Sequence, residues 1–297
     1  MLALFLFMRV ELNSPCKVNF ILNILGKRPD GFHELETLMH PVPVFDTIAC
    51  EKSDGSIQLS CSHPDLPTGP ENLVYRAAER FLSATGINAG VRIHLEKRIP
   101  LAAGLGGGSA NAATMLRALN HLFEEPLPLE ALEQIAAGIG SDVPFFLQNG
   151  PALATGRGEQ VSPLPSFDNL AGIWILLIHP GFGVSTPWAY KNLARYPAAL
   201  NGQPGRAQRM SEALRTSLSA ALPEFYNSLE APVLKKYPLL QIFQEFLRQE
   251  GAITVLMSGS GSTTFALAGD ESTARNLQDK FTKKFGHFCW VAAVPLA

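Results

Sequence analysis

The residues that could do chemistry fall in four short segments. Pro100-Leu-Ala-Ala-Gly-Leu-Gly-Gly-Gly-Ser-Ala-Asn-Ala-Ala-Thr114 leaves a strand pattern, passes through glycines and enters strong helix formers. Gly104, Gly106, Gly107 and Gly108 lack a Cβ, so their backbone can take φ > 0 and turn several N–H groups toward one point. A helix starting at or near Ser109 would aim its positive dipole end at the same point. That is a cradle for a phosphate; the plainer alternative is a tight strand-to-helix connection with no ligand. No lysine follows the glycines, which excludes a Walker A loop, and a dinucleotide fingerprint belongs to the first strand of a chain rather than a third of the way along it.

Ser14-Pro-Cys-Lys-Val-Asn-Phe-Ile-Leu-Asn23 sets Lys17 and Asn19 two apart, hence on one face of an otherwise apolar strand. Either this is an edge strand with its lysine in water, or the pair has a polar task. Gly140-Ser-Asp-Val-Pro-Phe-Phe146 places Asp142 at a turn, as a helix cap or as a carboxylate able to take a proton. Ser258-Gly-Ser-Gly-Ser-Thr263 is a second small-residue loop, able to reach phosphates or merely to turn.

The elements that must position these segments follow from periodicity. Val91 to Glu96 alternates apolar and polar, a half-buried strand that delivers the chain into the glycine loop. Ala113, Leu116, Leu119 and Phe123 recur at helical spacing after it, so one face packs while the N-terminus stays free. Helices are also expected over Asn72 to Leu82 and Leu129 to Ala137, and strands over Ile173–Ile178, Thr254–Met257, Thr264–Ala268 and Phe288–Val294. Pro197 to Arg209 reads as a mobile loop between helices. The proline-rich Ser162 to Asp168 marks a domain boundary, and mixed elements on both sides give an α+β protein.

With 297 residues the chain is long enough for about two domains, and 46% apolar composition can fill a core in each. A formal net charge of -2 and the lack of a basic run disfavour nucleic acid. Cys16, Cys50, Cys61 and Cys289 are scattered, which suggests neither a zinc site nor a disulfide framework and fits a reducing cytoplasm. The apolar Met1 to Met8 is too short to span a bilayer or act as a signal peptide; an apolar edge strand or an upstream start explains it better.

In this order, the lysine strand, the Pro100–Ala110 loop and the Ser258–Ser262 loop resemble those of the GHMP kinases, small-molecule kinases that include galactokinase, homoserine kinase and mevalonate kinase. A narrower likeness rests on Ser14–Asn19, Gly26-Lys-Arg-Pro-Asp-Gly-Phe-His33, Gly104–Asn111 and Gly140–Pro144. It runs from Leu12 to the final strand and points to the branch whose acceptor carries a cytidylyl group.

The resemblance implies a two-domain GHMP kinase fold: an N-terminal ATP-binding and catalytic domain over 1–165, with a sheet like that of a small-subunit ribosomal protein, and a C-terminal ferredoxin-like α/β sandwich over 166–297. It implies ATP-dependent phosphorylation, with Mg²⁺, of the 2-hydroxyl of 4-diphosphocytidyl-2-C-methyl-D-erythritol in non-mevalonate isoprenoid synthesis, with no nucleic acid, membrane or obligate protein partner. Asp142 would be the general base and Lys17 the cation beside it. Pro100, Gly104, Leu105, Gly106, Gly107, Gly108, Ser109 and Ala110 would hold the phosphates, with Asn72 and Lys97 near the adenosine end, Leu73 beside the base, and Ser109 the candidate metal ligand. Asn19, Phe32, His33, Thr186 and Tyr190 would bind the acceptor, Phe32 and Tyr190 on opposite faces of the cytosine. Cys16 and Phe32 depart from the family's usual alanine and tyrosine. Another GHMP kinase, or a non-catalytic relative that has lost the base or the lysine, is the alternative.

Overall fold

The computed structural model describes residues 9–296. The expectations for Met1 to Met8 lie outside the described residues. The chain opens with two long strands, β1 (Arg9–Lys27) and β2 (His33–Ser53), followed by β3 (Ile57–Cys61). Next come α1 (Leu73–Thr85), β4 (Gly90–Glu96), α2 (Gly107–Leu122) and α3 (Leu129–Ile139). A hairpin of β5 (Ala152–Thr155) and β6 (Gln160–Pro163) leads to β7 (Trp174–His179). Short helices follow: α4 (Thr186–Leu193), α5 (Pro197–Leu200), α6 (Arg206–Thr216) and α7 (Leu218–Ala221), then β8 (Tyr226–Asn227). The chain closes with α8 (Glu230–Lys236), α9 (Pro238–Gln249), β9 (Thr254–Met257), β10 (Thr264–Ala268), α10 (Glu271–Phe285) and β11 (Trp290–Pro295).

Contacts divide these elements into two compact units that interleave in sequence: among the described residues, 9–15, 45–99 and 107–148 belong to one, and 16–44, 100–106 and 149–296 to the other. In the first, β3 pairs in parallel with β4, which runs antiparallel to the end of β2 (Thr47 opposite Glu96). Helices α1, α2 and α3 supply its core, α2 being buried through Ala110, Ala112, Ala113, Met115, Leu116 and Leu119. Small residues on that face let neighbouring backbones approach closely, which fixes the helix that begins at the glycines.

In the second unit, the start of β2 pairs with β5, and β1 pairs in parallel with β8. A separate antiparallel sheet has the strand order β11-β7-β10-β9. With α9 after β7 and α10 after β10, this is the split β-α-β-β-α-β arrangement of ferredoxin-like folds. Phe243, Leu247, Leu277 and Phe281 of those helices pack against Leu176, Ile178 and Ala266 of the sheet.

Pro197 to Arg209 departs from the mobile loop expected of it. It is helical at both ends, and the Glu36 carboxylate accepts the N–H groups of Gly205, Arg206 and Ala207 at 2.6–3.0 Å. An acidic side chain distant in sequence thus caps α6, a task the local Gly-Gln-Pro-Gly composition cannot disclose.

Candidate active site

In the first unit, α2 begins at Gly107, two residues earlier than expected, so Gly107 and Gly108 are helical rather than left-handed. Its first turn has no acidic residue, which leaves its N–H groups to a ligand or to water. Ser109 is half-buried in that turn and Gly108 is exposed. A β-carbon on Gly108 would lie 3.5 Å from Leu73, and one on Gly107 would lie 3.1 Å from both Ile99 and the Lys97 ammonium.

Lys97 is not the solvated lysine that a position after a strand suggests. Its side chain is 3% exposed and ion-paired with Asp46. Asn72 caps α1: its carbonyl oxygen accepts the Val74 N–H at 2.9 Å and its amide donates to Pro67 at 2.7 Å, fixing the loop before the helix. Asp142 sits half-buried in the turn between α3 and a 3-10 turn over Pro144–Leu147, whose cap position is Val143.

In the second unit, Gly104 (φ 77°) and Gly106 (φ 69°) take the left-handed backbone expected, and so does Ala102 (φ 50°). Gly104 has a further duty. A β-carbon there would overlap the Ser258 carbonyl oxygen, and the Ser258 hydroxyl donates to the Gly104 carbonyl at 2.9 Å. Thr263 N–H donates to Ala103 at 3.1 Å, so the glycine loop and the second small-residue loop meet backbone to backbone. Asn227 holds that second loop by donating to Met257 and Gly259, and Ser260 shares a 2.8 Å hydrogen bond with Thr186. The serines serve the loop's own architecture first.

Lys17 is 3% exposed and its strand lies between β2 and β8, which removes the edge-strand alternative. Its ammonium donates to Asn19 Oδ1 at 2.6 Å; Asn19 Nδ2 donates to Thr37 Oγ1 at 2.8 Å; Thr37 donates to the Ile21 carbonyl at 2.6 Å. Because the Thr37 hydrogen is committed to Ile21, its lone pair fixes the Asn19 amide with its oxygen toward Lys17. Thr37 was not legible beforehand, since a threonine in a strand ordinarily signals only β-propensity. The Leu105 carbonyl accepts the Lys17 backbone N–H at 3.0 Å.

Phe32 is 52% exposed, and the Arg157 guanidinium lies over its ring at 4.7 Å. A core role for Phe32 is thereby excluded. The ring beside Tyr190 is His33, with centroids 5.0 Å apart and planes tilted by 41°. Tyr190 also packs against the cluster of Leu22, Leu193 and Val233. Burial, and then the nearby Lys27 charge, hold the His33 imidazole below its ordinary pKa, so it is neutral at pH 7 with one donor and one acceptor.

The N-terminal domain model of GHMP kinases matches residues 72–150, and the C-terminal model matches residues 207–287. A protein of Citrifermentans bemidjiense named 4-diphosphocytidyl-2-C-methyl-D-erythritol kinase is 39% identical over 281 residues, covering 94% of this chain and 97% of that protein. The chain belongs to the GHMP kinase family. The crystal structure of a 4-(cytidine 5'-diphospho)-2C-methyl-D-erythritol kinase matches 96% of this GHMP kinase and 98% of its own chain, at 36% identity and a TM-score of 0.76. Homoserine kinase from Cytophaga hutchinsonii superposes as well, with a TM-score of 0.77 over 99% of this chain and 96% of its own, at 19% identity. The backbone therefore identifies the family fold, and side chains must distinguish the acceptor. GHMP kinases are ATP-dependent, and the α+β two-domain architecture expected from the sequence is the family's own.

Proposed function

We propose that this GHMP kinase transfers the γ-phosphoryl group of ATP to the 2-hydroxyl of 4-diphosphocytidyl-2-C-methyl-D-erythritol. The observation that carries the reading is the exposed Phe32 next to the neutral His33, in the segment Gly26–His33 on which the likeness to the cytidylyl branch rests. Relatives alike over nearly the whole chain bear the corresponding name.

Phosphoryl transfer asks the protein mainly to place groups and to stabilise charge on the transferring oxygens. In this reading the α2 N-terminus and the Gly104–Ser109 backbone receive the phosphates. Asp142 takes the proton of the acceptor hydroxyl as the hydroxyl oxygen attacks the γ-phosphorus and the bond from that phosphorus to the departing ADP oxygen breaks. Lys17, oriented through Asn19 and Thr37, stabilises the charge that develops on the transferring phosphoryl group. Phe32 and Tyr190 contact the cytosine, and His33 reads its edge.

Mg²⁺ belongs to the proposal as well. Among the described residues no three His, Cys, Asp or Glu side chains gather into a metal group, so the donor set fits a cation carried mostly by phosphates and water, with the Ser109 hydroxyl as protein ligand. When bound it neutralises phosphate charge. We also assign the enzyme to the cytoplasm, a reading supported by its four free cysteines.

The test is incubation with ATP and Mg²⁺ and, separately, the cytidylyl substrate, mevalonate, homoserine and galactose, with ADP release followed. ADP release with the cytidylyl compound alone is expected. Turnover of one of the others in its place would overturn the proposal.

A further inference from the structure

Asp46 accepts four hydrogen bonds and takes no part in the binding and catalysis proposed above. Its side chain is fully buried. Oδ1 accepts the backbone N–H groups of Arg98 and Ile99 at 2.7 and 2.8 Å; Oδ2 accepts Asn111 Nδ2 at 2.9 Å and the Lys97 ammonium. Asn111 donates onward to the Ser14 hydroxyl at 2.9 Å. One carboxylate thus ties the end of β4 to the second turn of α2.

Its partner is oddly placed. The Lys97 ammonium lies beside Gly107, the first residue of α2, where the helix dipole presents positive charge. Burying a cation there is unfavourable twice over, through desolvation and through the dipole, and Asp46 offsets both. An ammonium has three N–H donors, and Asp46 is its one acceptor among the described residues, so donors remain. A buried cation with open donors, held against the positive end of a helix, suits an anion arriving at that end.

We propose that Asp46 is a positioning residue: it holds the Lys97 ammonium at the N-terminus of α2 for the anionic nucleotide and acts on ATP only through that lysine. The proposal rests on α2 being the nucleotide site. It makes no use of the acceptor's identity.

The experiment is a double-mutant cycle on ATP binding, measured by calorimetry with Mg²⁺ and no acceptor, using Asp46→Asn, Lys97→Met and the double variant. Each single substitution should weaken ATP at least tenfold, and the double should be no weaker than the worse single. Asp46→Asn leaves a buried ammonium unpaired and can melt. The comparison of Lys97→Met with the double contains no buried cation and carries the test by itself: adding Asp46→Asn there should change ATP affinity less than twofold. A further loss of fivefold or more in that background would overturn the proposal, as would wild-type ATP affinity in either single variant. Wild-type protein that binds ATP but fails to phosphorylate the cytidylyl compound would sink the acceptor assignment while leaving this cycle interpretable.

Discussion

The proposed nucleotide end and the proposed nucleobase rim are built in opposite ways. Around α2 three buried side chains are each shared: Asp46 serves four donors, Asn111 two acceptors, and Asn72 both caps a helix and ties down a loop. At the rim, Phe32 is mostly exposed and meets Arg157 through a cation–π contact, with charge pairs such as Arg28–Asp30 in water nearby. Phosphates need donors fixed before they arrive, because preorganised dipoles reorganise least on binding. A flat base needs only an accessible ring. Substitutions at the first region should therefore mix stability with function, and those at the rim should separate them.

The largest effect expected lies outside both regions, at the proposed base. Asp142→Asn should lower kcat by about 10² to 10⁴ while ATP affinity stays near wild type, because the amide keeps the shape but cannot take a proton. Steady-state kinetics with calorimetry would decide it, and more than about a third of wild-type kcat would remove Asp142 from that role.

Gly104→Ala attacks the joint of the two loops. Left-handed backbone at a residue with a β-carbon costs about 1–2 kcal/mol, and overlap with the Ser258 carbonyl adds about 1–3 kcal/mol of overpacking. Denaturant unfolding should show both losses together with weaker ATP binding. Normal stability with lost ATP affinity would mean that Gly104 serves the ligand alone. Gly107→Val should differ in kind: Gly107 is helical, so its β-carbon and methyls would press on Ile99 and displace Lys97. ATP affinity should fall about tenfold or more, near 1.4 kcal/mol.

A pH series extends the contrast to the core of the second unit. His40, buried and stacked on Phe20 with centroids 5.2 Å apart, is pushed down by burial to about 4. Between about 6.5 and 4 the unfolded chain binds the proton and the folded chain does not, so stability is full above the unfolded value and falls as the pH drops through that window. At 1.36 kcal/mol per unit the loss approaches about 3 kcal/mol. His40→Gln should flatten the dependence of melting temperature on pH across that range; an unchanged slope would assign it to other groups.

The rim should give the cleanest effect. Phe32→Ala should raise KM for the cytidylyl substrate roughly 5- to 150-fold, the worth of one base–aromatic stack, without moving the melting temperature or KM for ATP. Tyr190→Ala should raise the same KM and also lower the melting temperature, because that side chain packs against the buried cluster that includes Leu22, Leu193 and Val233. Equal melting losses in the two variants would erase the distinction between rim and core.

The sequence by itself determined the pieces whose signals are local. Glycines before helix formers announced α2 to within two residues, strict alternation announced β4, and Thr254–Met257 and Thr264–Ala268 appear as strands over those same residues. Lys17 and Asn19 were visible as a polar pair because a strand's period of two puts them on one face. Only the tertiary structure decided what each polar group answers to. Asp46 and Lys97 are 51 positions apart, Lys17 and Thr37 are 20, and Glu36 caps a helix 170 residues away. A linear cut near residue 165 is what composition suggests, whereas β1 and β2 each enter both compact units and no local signal marks such a crossing. Periodicity records which face of an element is apolar; it does not record which distant carboxylate will be brought to meet a buried donor. That pairing is fixed when the core closes, because an unpaired buried charge is too costly to leave.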